Sequence, residues 1–349
     1  MTRPVRGRGA GSNPASRFDR LVVEPDPEAD EEGISPRTEL LSDTTRQILS
    51  RNTSPDLPFD VSLNPYRGCE HGCSYCYARP THEYLGFSAG LDFETKILVK
   101  ESAPELLRRE LSSPRYEPSL LALSGVTDPY QPVERRLRLV RRCLEVLAEL
   151  RHPVGIVTKN HLVTRDLDLL QELARYRAAV VFLSITTLDP ELSRVMEPRA
   201  SHPRRRLDAI RALSQGGVPV AALMAPIVPA LTDEEIPRLL EAVADAGALD
   251  VCYILLRLPY GLKEQFTDWL HTHRPQRAAK VLNRIRSLRG GALDDTEFGR
   301  RQRGTGIWAE QIAALFEATR RRLGLPRGSL EVSSAAFRRP GGEQMSLFE

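Results

Sequence analysis

The sequence lacks the features of a membrane-embedded or secreted protein. It contains no apolar run near the roughly 18 residues that a transmembrane helix needs. The basic residues that follow Met1 do not lead into the apolar stretch of a secretory signal. The sequence therefore predicts a cytoplasmic protein that does not bind membranes.

Lysine is scarce, since it occurs at five positions and arginine supplies nearly all of the 49 basic side chains. Arginine binds phosphate through two parallel hydrogen bonds, which lysine cannot form. The net charge is only +3, however. The charge balance alone therefore does not indicate a nucleic-acid-binding protein.

Cysteine is present in an odd number, five, which excludes a fully paired set of disulfides. Cys69, Cys73 and Cys76 fall within eight positions, in the spacing C-x3-C-x2-C. This crowding is typical of a metal site rather than of a disulfide framework. Cys143 and Cys252 stand apart in apolar helix-like and strand-like contexts, so we predict that both are small buried residues.

Two kinds of metal site fit three clustered thiolates. Three cysteines can bind three irons of a cubic iron–sulfur cluster and leave the fourth iron without a protein ligand. A structural zinc ion would need a fourth ligand, for which His71 or His82 is available, although neither reproduces a common zinc-finger spacing. Thiolate softness is compatible with both metals.

Composition divides the chain into four segments. Residues 1–35 have almost nothing apolar to bury and are predicted to be disordered. Residues 36–290 carry the alternating pattern of an α/β core, preceded by a helical piece around Thr44–Ser50. Residues 291–327 are predicted to form a helical extension and residues 328–349 a flexible tail.

The core alternates apolar strand-like runs with segments of helical spacing. The predicted strands are Val61–Leu63, Leu120–Val126, Val154–Thr158, Val180–Thr186, Val218–Ile227 and Val251–Leu258. The predicted helices are Pro104–Leu111, Glu134–Leu150, Leu162–Arg175, Arg204–Gln215, Glu234–Ala246, Glu264–Leu288 and Ala309–Leu323. Consecutive β–α units imply a parallel sheet with right-handed crossovers, either doubly wound or a six-stranded partial barrel.

Polar residues follow several of these strands. In parallel α/β folds ligands gather beyond the carboxyl ends of the strands, so these side chains are expected to face one opening. A polar residue at a strand end is also a common turn former. The residues concerned are Thr127, Asp128, Lys159, Asn160, Ser184, Thr186, Thr187, Arg257 and Tyr260.

The cysteine motif in this context resembles that of the radical S-adenosylmethionine (SAM) superfamily. The stretches Asn64-Pro-Tyr-Arg-Gly-Cys69, Thr127-Asp-Pro-Tyr-Gln-Pro-Val-Glu134, Thr158-Lys-Asn160 and Ala225-Pro-Ile227 are similar to those of its spore photoproduct lyase-like branch, and most of all to a bacterial group within it. The resemblance runs from about Arg37 to Arg339 and implies a partial (β/α)6 TIM-type barrel.

The resemblance also implies the chemistry. Cys69, Cys73 and Cys76 would bind a [4Fe-4S] cluster, and SAM would chelate the fourth iron. An electron from an external donor would then cleave SAM to a 5′-deoxyadenosyl radical, which abstracts hydrogen from a substrate.

Five further residues match the cofactor-binding positions of the superfamily. Tyr75 would pack on the adenine side of SAM, and Thr127 with Asp128 would meet its amine. Lys159 would pair with the SAM carboxylate, and Ser184 would hydrogen-bond the cofactor.

One position departs from the branch. Spore photoproduct lyase carries a cysteine directly before the Ser/Thr-Asp pair, and its thiol returns hydrogen to the product; Val126 stands here instead. Cys143 lies in an outer helix and is a poor substitute. Tyr130, Tyr260 and Tyr77 are the candidate radical relays.

Three functions therefore remain open. The first is a DNA-repair lyase or a related radical SAM enzyme acting on DNA. The second is radical SAM modification of RNA, protein or a metabolite. The third is a non-catalytic metal-binding module that contacts nucleic acid.

The chain ends in Gln344-Met-Ser-Leu-Phe-Glu349. This segment resembles the pentapeptide by which bacterial repair and replication proteins dock on the DNA sliding clamp. Gln344 would bond at the pocket rim, while Met345, Leu347 and Phe348 supply the apolar anchors. The sequence thus predicts the sliding clamp as a partner and DNA as the substrate; the alternative is that the tail folds back on the domain.

Overall fold

The computed structural model describes residues 5–18, 36–328 and 330–339. Within these ranges the strands are β1 (Glu39–Ser42), β2 (Leu49–Arg51), β3 (Val61–Leu63), β4 (Tyr66–Arg67), β5 (Lys96–Val99), β6 (Leu121–Leu123), β7 (Val154–Thr158), β8 (Ala179–Ser184), β9 (Val220–Ile227) and β10 (Asp250–Leu255). The α-helices are α1 (Leu91–Thr95), α2 (Ala103–Leu111), α3 (Glu134–Leu137), α4 (Leu139–Glu149), α5 (Leu167–Arg175), α6 (Pro190–Met196), α7 (Pro203–Gln215), α8 (Ile236–Asp245), α9 (Leu262–His273), α10 (Pro275–Leu288) and α11 (Ile307–Arg322). Short 3-10 helices cover Arg79–Leu85, His161–Asp166 and Asp233–Glu235.

The main sheet has the strand order β10-β9-β8-β7-β6-β3-β2. Its first six strands pair in parallel, and β2 adds an antiparallel edge strand beside β3. The parallel strands follow chain order across the sheet, so the order never reverses. A doubly wound sheet contains such a reversal. The predicted partial (β/α)6 barrel is therefore confirmed.

Helix α4 shows how the helical layer covers the sheet. Val140, Cys143, Leu144 and Leu147 have no exposed surface, and their spacing of three and four residues places them on one face. Each buried aliphatic side chain of this kind contributes about 1.5–3 kcal/mol to stability. Cys143 is thus the small buried residue that was predicted, whereas Cys252 in β10 is only half-buried.

Three predicted helical segments differ from the structure. The segment 264–288 is divided between α9 and α10 at Pro275, because proline has no amide hydrogen to continue a helix and suits its first turn. The segment 134–150 is interrupted at Arg138, whose φ is 54°. The predicted helix at Thr44–Ser50 is wrong, because β2 pairs with β3 and the Ile48 amide donates to Glu110 over 2.7 Å.

The ends of the chain are more ordered than predicted. Residues 5–18 lie against the core, where the Gly9 and Ala10 amides donate to the Glu94 carboxylate over 3.1 and 2.8 Å. Polar bonds to a buried carboxylate, rather than apolar burial, hold this stretch, and the bounds of the predicted amino-terminal tail stay a prediction. Residues 330–339 are also placed, with the Arg338 amide donating to Leu150 O over 3.0 Å. The predicted clamp motif at residues 344–348 lies outside the described residues.

Helix α11 packs on the barrel and brings Phe316 to a ring-centroid distance of 4.6 Å from Tyr253 of β10. The division of the chain at residue 290 stays a prediction. In the part of the chain that the structure describes, no helix is long and apolar enough to cross a bilayer.

Candidate functional site

The cysteine loop, residues 68–78, connects β4 to the first 3-10 helix. A small second sheet in the order β1-β5-β4, which the sequence analysis missed, leads the chain into this loop. The Cys69 amide donates to Phe93 O over 2.8 Å. Gly68 has a φ of 79°, and a Cβ there would lie 3.0 Å from backbone oxygens on two sides, so glycine is required. The sheet and this glycine therefore both help to set the conformation of the loop.

A buried ion pair lies beneath the loop. Arg79 Nε and Nη2 donate to Cys73 O over 3.0 and 2.9 Å, and the same guanidinium pairs with Glu94. Both side chains have no exposed surface. Removing one partner of such a pair costs about 3–5 kcal/mol, because the remaining charge is left buried and unpaired. This pair links the cysteine loop to the amino-terminal segment, which binds Glu94 from the other side.

The three cysteines are free thiols on one loop, with Cys69 and Cys73 buried and Cys76 partly exposed. Burial raises the pKa of Cys69 well above its usual value and that of Cys73 to about 12, although Lys159 opposes the shift at Cys73. Burial also raises the pKa of Cys76, with Arg79 opposing it. A bound cation would reverse this, since a coordinating thiol loses its proton to the metal. The donor set is soft and suits iron or zinc.

The structure favours a multi-iron cluster over a zinc ion. His82 Nε2 lies 3.0 Å from Lys96 O, and His71 is held between Asn160 at 3.2 Å and Asp128 at 3.3 Å. Among the described residues, no three His, Cys, Asp or Glu side chains converge as ligands of a single ion. In a [4Fe-4S] cluster each thiolate binds a different iron, so its sulfurs lie farther apart. Three free thiols on one loop supply the soft donor set that such a cluster needs.

Asp128 joins the cysteine loop to two strand ends. Its Oδ1 accepts from Thr158 Oγ1 over 2.7 Å, and its Oδ2 accepts from the Lys159 amide over 2.7 Å. Burial alone would raise the pKa of Asp128, but His71 and these hydrogen bonds lower it to about 2. The carboxylate is therefore ionised and fully engaged. Its predicted contact with the SAM amine stays a prediction, and its bonds favour a positioning role.

A second buried carboxylate, Glu197, was not anticipated. It accepts hydrogen bonds from Tyr75 Oη and from Thr186 Oγ1, and it forms an ion pair with Arg206. Burial alone would raise the pKa of Glu197, but Arg206 and then Lys159 lower it to about 2. Glu197 thereby connects the cysteine loop to the end of β8 and to α7. Because the pair is nine residues apart on different elements, no local sequence pattern could have indicated it.

The remaining predicted cofactor residues lie at the same end of the sheet, with most of their polar groups engaged. Ser184 Oγ donates to Ala225 O over 3.1 Å, and Ser184 O accepts from Arg206. Thr127 Oγ1 donates to Tyr66 O over 3.2 Å. The Tyr75 hydroxyl is bonded to Glu197, which leaves its backbone as the available part. Their cofactor roles stay predictions.

Lys159 is the exception. Its Nζ lies 5.8 Å from the ring centroid of Tyr75 and forms no ion pair with any of the described residues. The side chain is half-buried, and its charge acts on the Cys73 thiol and on Glu197. A half-buried cation that forms no ion pair with the described residues is suited to an anionic ligand. The structure thus places a free positive charge beside the cysteine loop.

The tyrosines named as candidate radical relays lie in different places. Tyr130 has no exposed surface, and its hydroxyl donates to Asp166 over 3.1 Å, so the structure does not bring it to the opening. Tyr260 is 54% exposed, with the Arg17 guanidinium 3.8 Å from its ring centroid. Tyr77 is equally exposed, and its hydroxyl donates to Gly125 O over 2.6 Å, next to Val126. Of the three tyrosines, Tyr77 lies beside Val126, the position where this sequence differs from spore photoproduct lyase.

The chain is similar to known proteins in both sequence and structure. Residues 63–243 match the radical SAM superfamily. A protein of Mycobacterium tuberculosis named only as uncharacterised is 39% identical over 234 residues, covering 66% of this chain and 68% of that protein.

Among solved structures, a spore photoproduct lyase variant gives a TM-score of 0.58 at 19% identity, covering 81% of this chain and 78% of that one. A second variant, with bound AdoMet and a dinucleoside spore photoproduct, gives 0.57 at 18% identity and covers 81% of this chain and 77% of that one. At this identity the likeness shows a shared fold.

Proposed function

The chain belongs to the radical SAM superfamily and is a radical SAM enzyme with a [4Fe-4S] cluster and SAM as cofactors, and from this premise we propose that Cys69, Cys73 and Cys76 bind the cluster and that the substrate is DNA. When bound, the two cofactors supply the reductive cleavage of SAM that yields a 5′-deoxyadenosyl radical. The protein's own part is to hold these groups, to orient the substrate and to exclude water.

The observation that carries the site assignment is the position of Lys159. It is a half-buried cation beside the cysteine loop, and no ion pair among the described residues neutralises it. A carboxylate of SAM bound at the fourth iron would supply that partner, through a charge-assisted hydrogen bond. The Asp128 and Glu197 networks hold the loop and the strand ends on either side of this lysine.

The opening carries side chains suited to a nucleotide. Tyr77 is exposed and offers a stacking surface, and Tyr260 is exposed with Arg17 on one face of its ring. Arg257 is half-buried, with its Nε unbonded among the described residues. Aromatic rings bind bases in a way that tolerates sequence, and arginine binds phosphate bidentately. The fold shared with spore photoproduct lyases, one of them holding a dinucleoside photoproduct, supports the same substrate class.

Val126 is the residue that distinguishes this protein from the spore photoproduct lyases. Its side chain is 37% exposed at the place where the lyases carry a thiol, so no thiol at this position can return hydrogen to the product. The Tyr77 hydroxyl, bonded to the neighbouring Gly125 carbonyl, is the proposed donor in its place: its O–H bond would break, the hydrogen atom would pass to the product radical, and Tyr77 would become a neutral tyrosyl radical. The repair reaction of the lyases depends on that thiol. Its absence therefore also favours a second candidate function, radical modification of RNA, protein or a metabolite.

The substrate class is tested by the dependence of SAM cleavage on nucleic acid. The protein, reconstituted anaerobically and reduced with dithionite, is given SAM together with DNA, with RNA or with neither. We expect DNA to increase the release of 5′-deoxyadenosine above the other two. Stimulation by RNA alone, or no stimulation by either, would remove DNA as the substrate.

The tail motif at residues 344–348 supports DNA as the substrate independently of the barrel. We propose that Gln344, Met345, Leu347 and Phe348 bind the DNA sliding clamp. A peptide of the last fifteen residues is titrated into purified clamp, with a peptide carrying Leu347→Ala and Phe348→Ala as control. Binding by the first peptide alone supports the proposal, and no interaction at high micromolar concentration would refute it.

A further inference from the structure

A basic cavity lies against the outer side of the cysteine loop. It measures about 620 Å³ and is lined by charged side chains from five separate parts of the chain. One carboxylate, that of Glu70, lies among five arginines there. The arginines are Arg6, Arg8, Arg37, Arg136 and Arg199. The whole protein carries a net charge of only +3, so this cavity concentrates positive charge well beyond the average surface.

The floor of the cavity belongs to the cysteine loop itself. Glu70 follows Cys69 in the chain, and its buried carboxylate accepts from Thr38 Oγ1 over 2.7 Å and from the Val133 amide over 2.6 Å. Arg199 neutralises Glu70, with 3.1 Å between Nη2 and Oε1, and the Arg199 amide donates to His71 O over 3.2 Å. The cavity is therefore in direct contact with the backbone between Cys69 and Cys73.

The other four arginines form no ion pair with any residue that the structure describes. Arg8 Nη1 and Nη2 donate to the carbonyls of Glu94 and Pro36, over 2.8 and 2.7 Å, which fixes the guanidinium without cancelling its charge. Arg6, Arg37 and Arg136 are exposed and form no ion pair within the part of the chain that the structure describes. These four positive charges are therefore available to a partner.

The cavity is distinct from the opening where a substrate would enter. Tyr77, Val126, Arg257 and Tyr260 do not line it. The amino-terminal segment runs from Arg8 at the cavity to Arg17 on the Tyr260 ring, so the two places lie at opposite ends of that segment. A partner at the cavity reaches the cysteine loop without covering the opening.

We propose that this cavity is the docking surface for an acidic one-electron carrier protein that reduces the cluster; the inference rests on the proposed function. Weak electron-transfer complexes have small interfaces, and complementary charge steers their encounter rather than providing tight binding. The carrier is favoured over a nucleic acid because the cavity reaches the backbone between Cys69 and Cys73, where an electron has to arrive. The carrier would give up one electron, which the cluster held by Cys69, Cys73 and Cys76 would accept, and no atom or proton would be exchanged.

The test compares two charge-matched variants of the full chain. Arg37→Glu with Arg136→Glu reverses two charges at the cavity. Arg238→Glu with Lys280→Glu reverses two exposed charges on α8 and α10 as the control. None of these four side chains has an ion pair among the described residues, so both variants are expected to fold. Three quantities are measured: the binding of an oxidised acidic flavodoxin, the rate at which the reduced flavodoxin bleaches the cluster, and SAM cleavage driven by dithionite.

We expect the cavity variant to lose flavodoxin binding and to be reduced by flavodoxin on the order of tenfold or more slowly. Its cleavage of SAM with dithionite should equal that of the wild type and of the control, and rising salt should slow flavodoxin-driven reduction of the wild type. Unchanged binding and reduction in the cavity variant would overturn the proposal, whether or not that variant has lost affinity for a DNA oligonucleotide. Failure of dithionite-driven cleavage in the wild type would instead count against the proposed function.

Discussion

Nδ1 of His71 lies 3.3 Å from Oδ2 of Asp128, and this contact joins the middle of the cysteine loop to the end of β6. The same carboxylate accepts from the end of β7, so one buried anion fixes the loop against two strands. The Glu197 network does the same at β8. The three cysteines therefore occupy a loop that the barrel holds in place on two sides.

Replacing one cysteine of the loop should abolish the cluster. Cys73→Ala removes one of three thiolates, so the reconstituted protein is expected to lack the brown chromophore and all SAM cleavage. Cys143→Ala is the control, because Cys143 lies in the core under α4 and should leave the chromophore intact. A normal four-iron spectrum in Cys73→Ala would refute the ligand assignment.

Removing the positive charge of Lys159 should weaken SAM binding without loss of the cluster. Lys159→Ala eliminates a charge-assisted bond of about 1.5–3 kcal/mol, which corresponds to roughly a ten- to hundredfold increase in the Kd of SAM. Equilibrium binding to the reconstituted protein measures this. Lys280→Ala on the exposed face of α10 should leave the Kd unchanged. An unaltered Kd in Lys159→Ala would remove this lysine from the site.

Breaking the pair of Glu197 and Arg206 should destabilise the whole site. Glu197→Gln leaves the Arg206 guanidinium buried without its partner, which lowers the free energy of unfolding by about 3–5 kcal/mol and reduces cluster loading. Adding Arg206→Met should recover part of that loss, because the unpaired charge is then gone. Urea unfolding measures both variants. A loss below about 1 kcal/mol in the single variant would show that the pair behaves like an exposed one.

The hydrogen-return proposal predicts an uncoupled enzyme. Tyr77→Phe removes the hydroxyl beside Val126, so SAM cleavage should continue while the yield of substrate product for each 5′-deoxyadenosine falls. Tyr130→Phe serves as the control, because Tyr130 is buried and bonded to Asp166 away from the opening. An unchanged ratio of product to 5′-deoxyadenosine in Tyr77→Phe would exclude this tyrosine as the donor.

Stability should fall in mild acid because of His152. Burial lowers the pKa of His152 to about 4, against its usual value near 6.5. Between these two values the unfolded chain binds a proton that the folded chain does not, so the free energy of unfolding decreases as the pH falls from about 6.5 to 4, by up to ~3 kcal/mol. His152→Gln should have a shallower pH dependence over this range in denaturant titrations. Parallel pH profiles for the two proteins would contradict this origin.

The order of strands and helices could be predicted from periodicity, because each parallel strand is an apolar run and each helix has an amphipathic face. The cysteine loop could be predicted equally well, since its three cysteines lie within eight residues. What could not be predicted depends on contacts between distant residues. Glu94 binds a segment 84 residues earlier, Glu197 meets a residue of the cysteine loop 122 positions away, and neither leaves a local pattern.

The contacts of the amino-terminal segment could not be predicted for a related reason. Its composition predicts disorder because it offers no apolar surface, yet two backbone amides and the Arg8 guanidinium find buried acceptors near the loop. Lys159 directly follows β7, as the strand pattern predicted, but a sequence cannot show that it forms no ion pair with any of the described residues.

The most direct test of DNA as the substrate is isotope transfer. The reconstituted protein, reduced with dithionite, is incubated with SAM and with DNA deuterated in the thymine and deoxyribose positions, and the 5′-deoxyadenosine is analysed by mass spectrometry. The account predicts deuterium in 5′-deoxyadenosine from the DNA, absent from Cys73→Ala and from unlabelled DNA. Cleavage of SAM with no deuterium in the product, under conditions where DNA is bound, would contradict it.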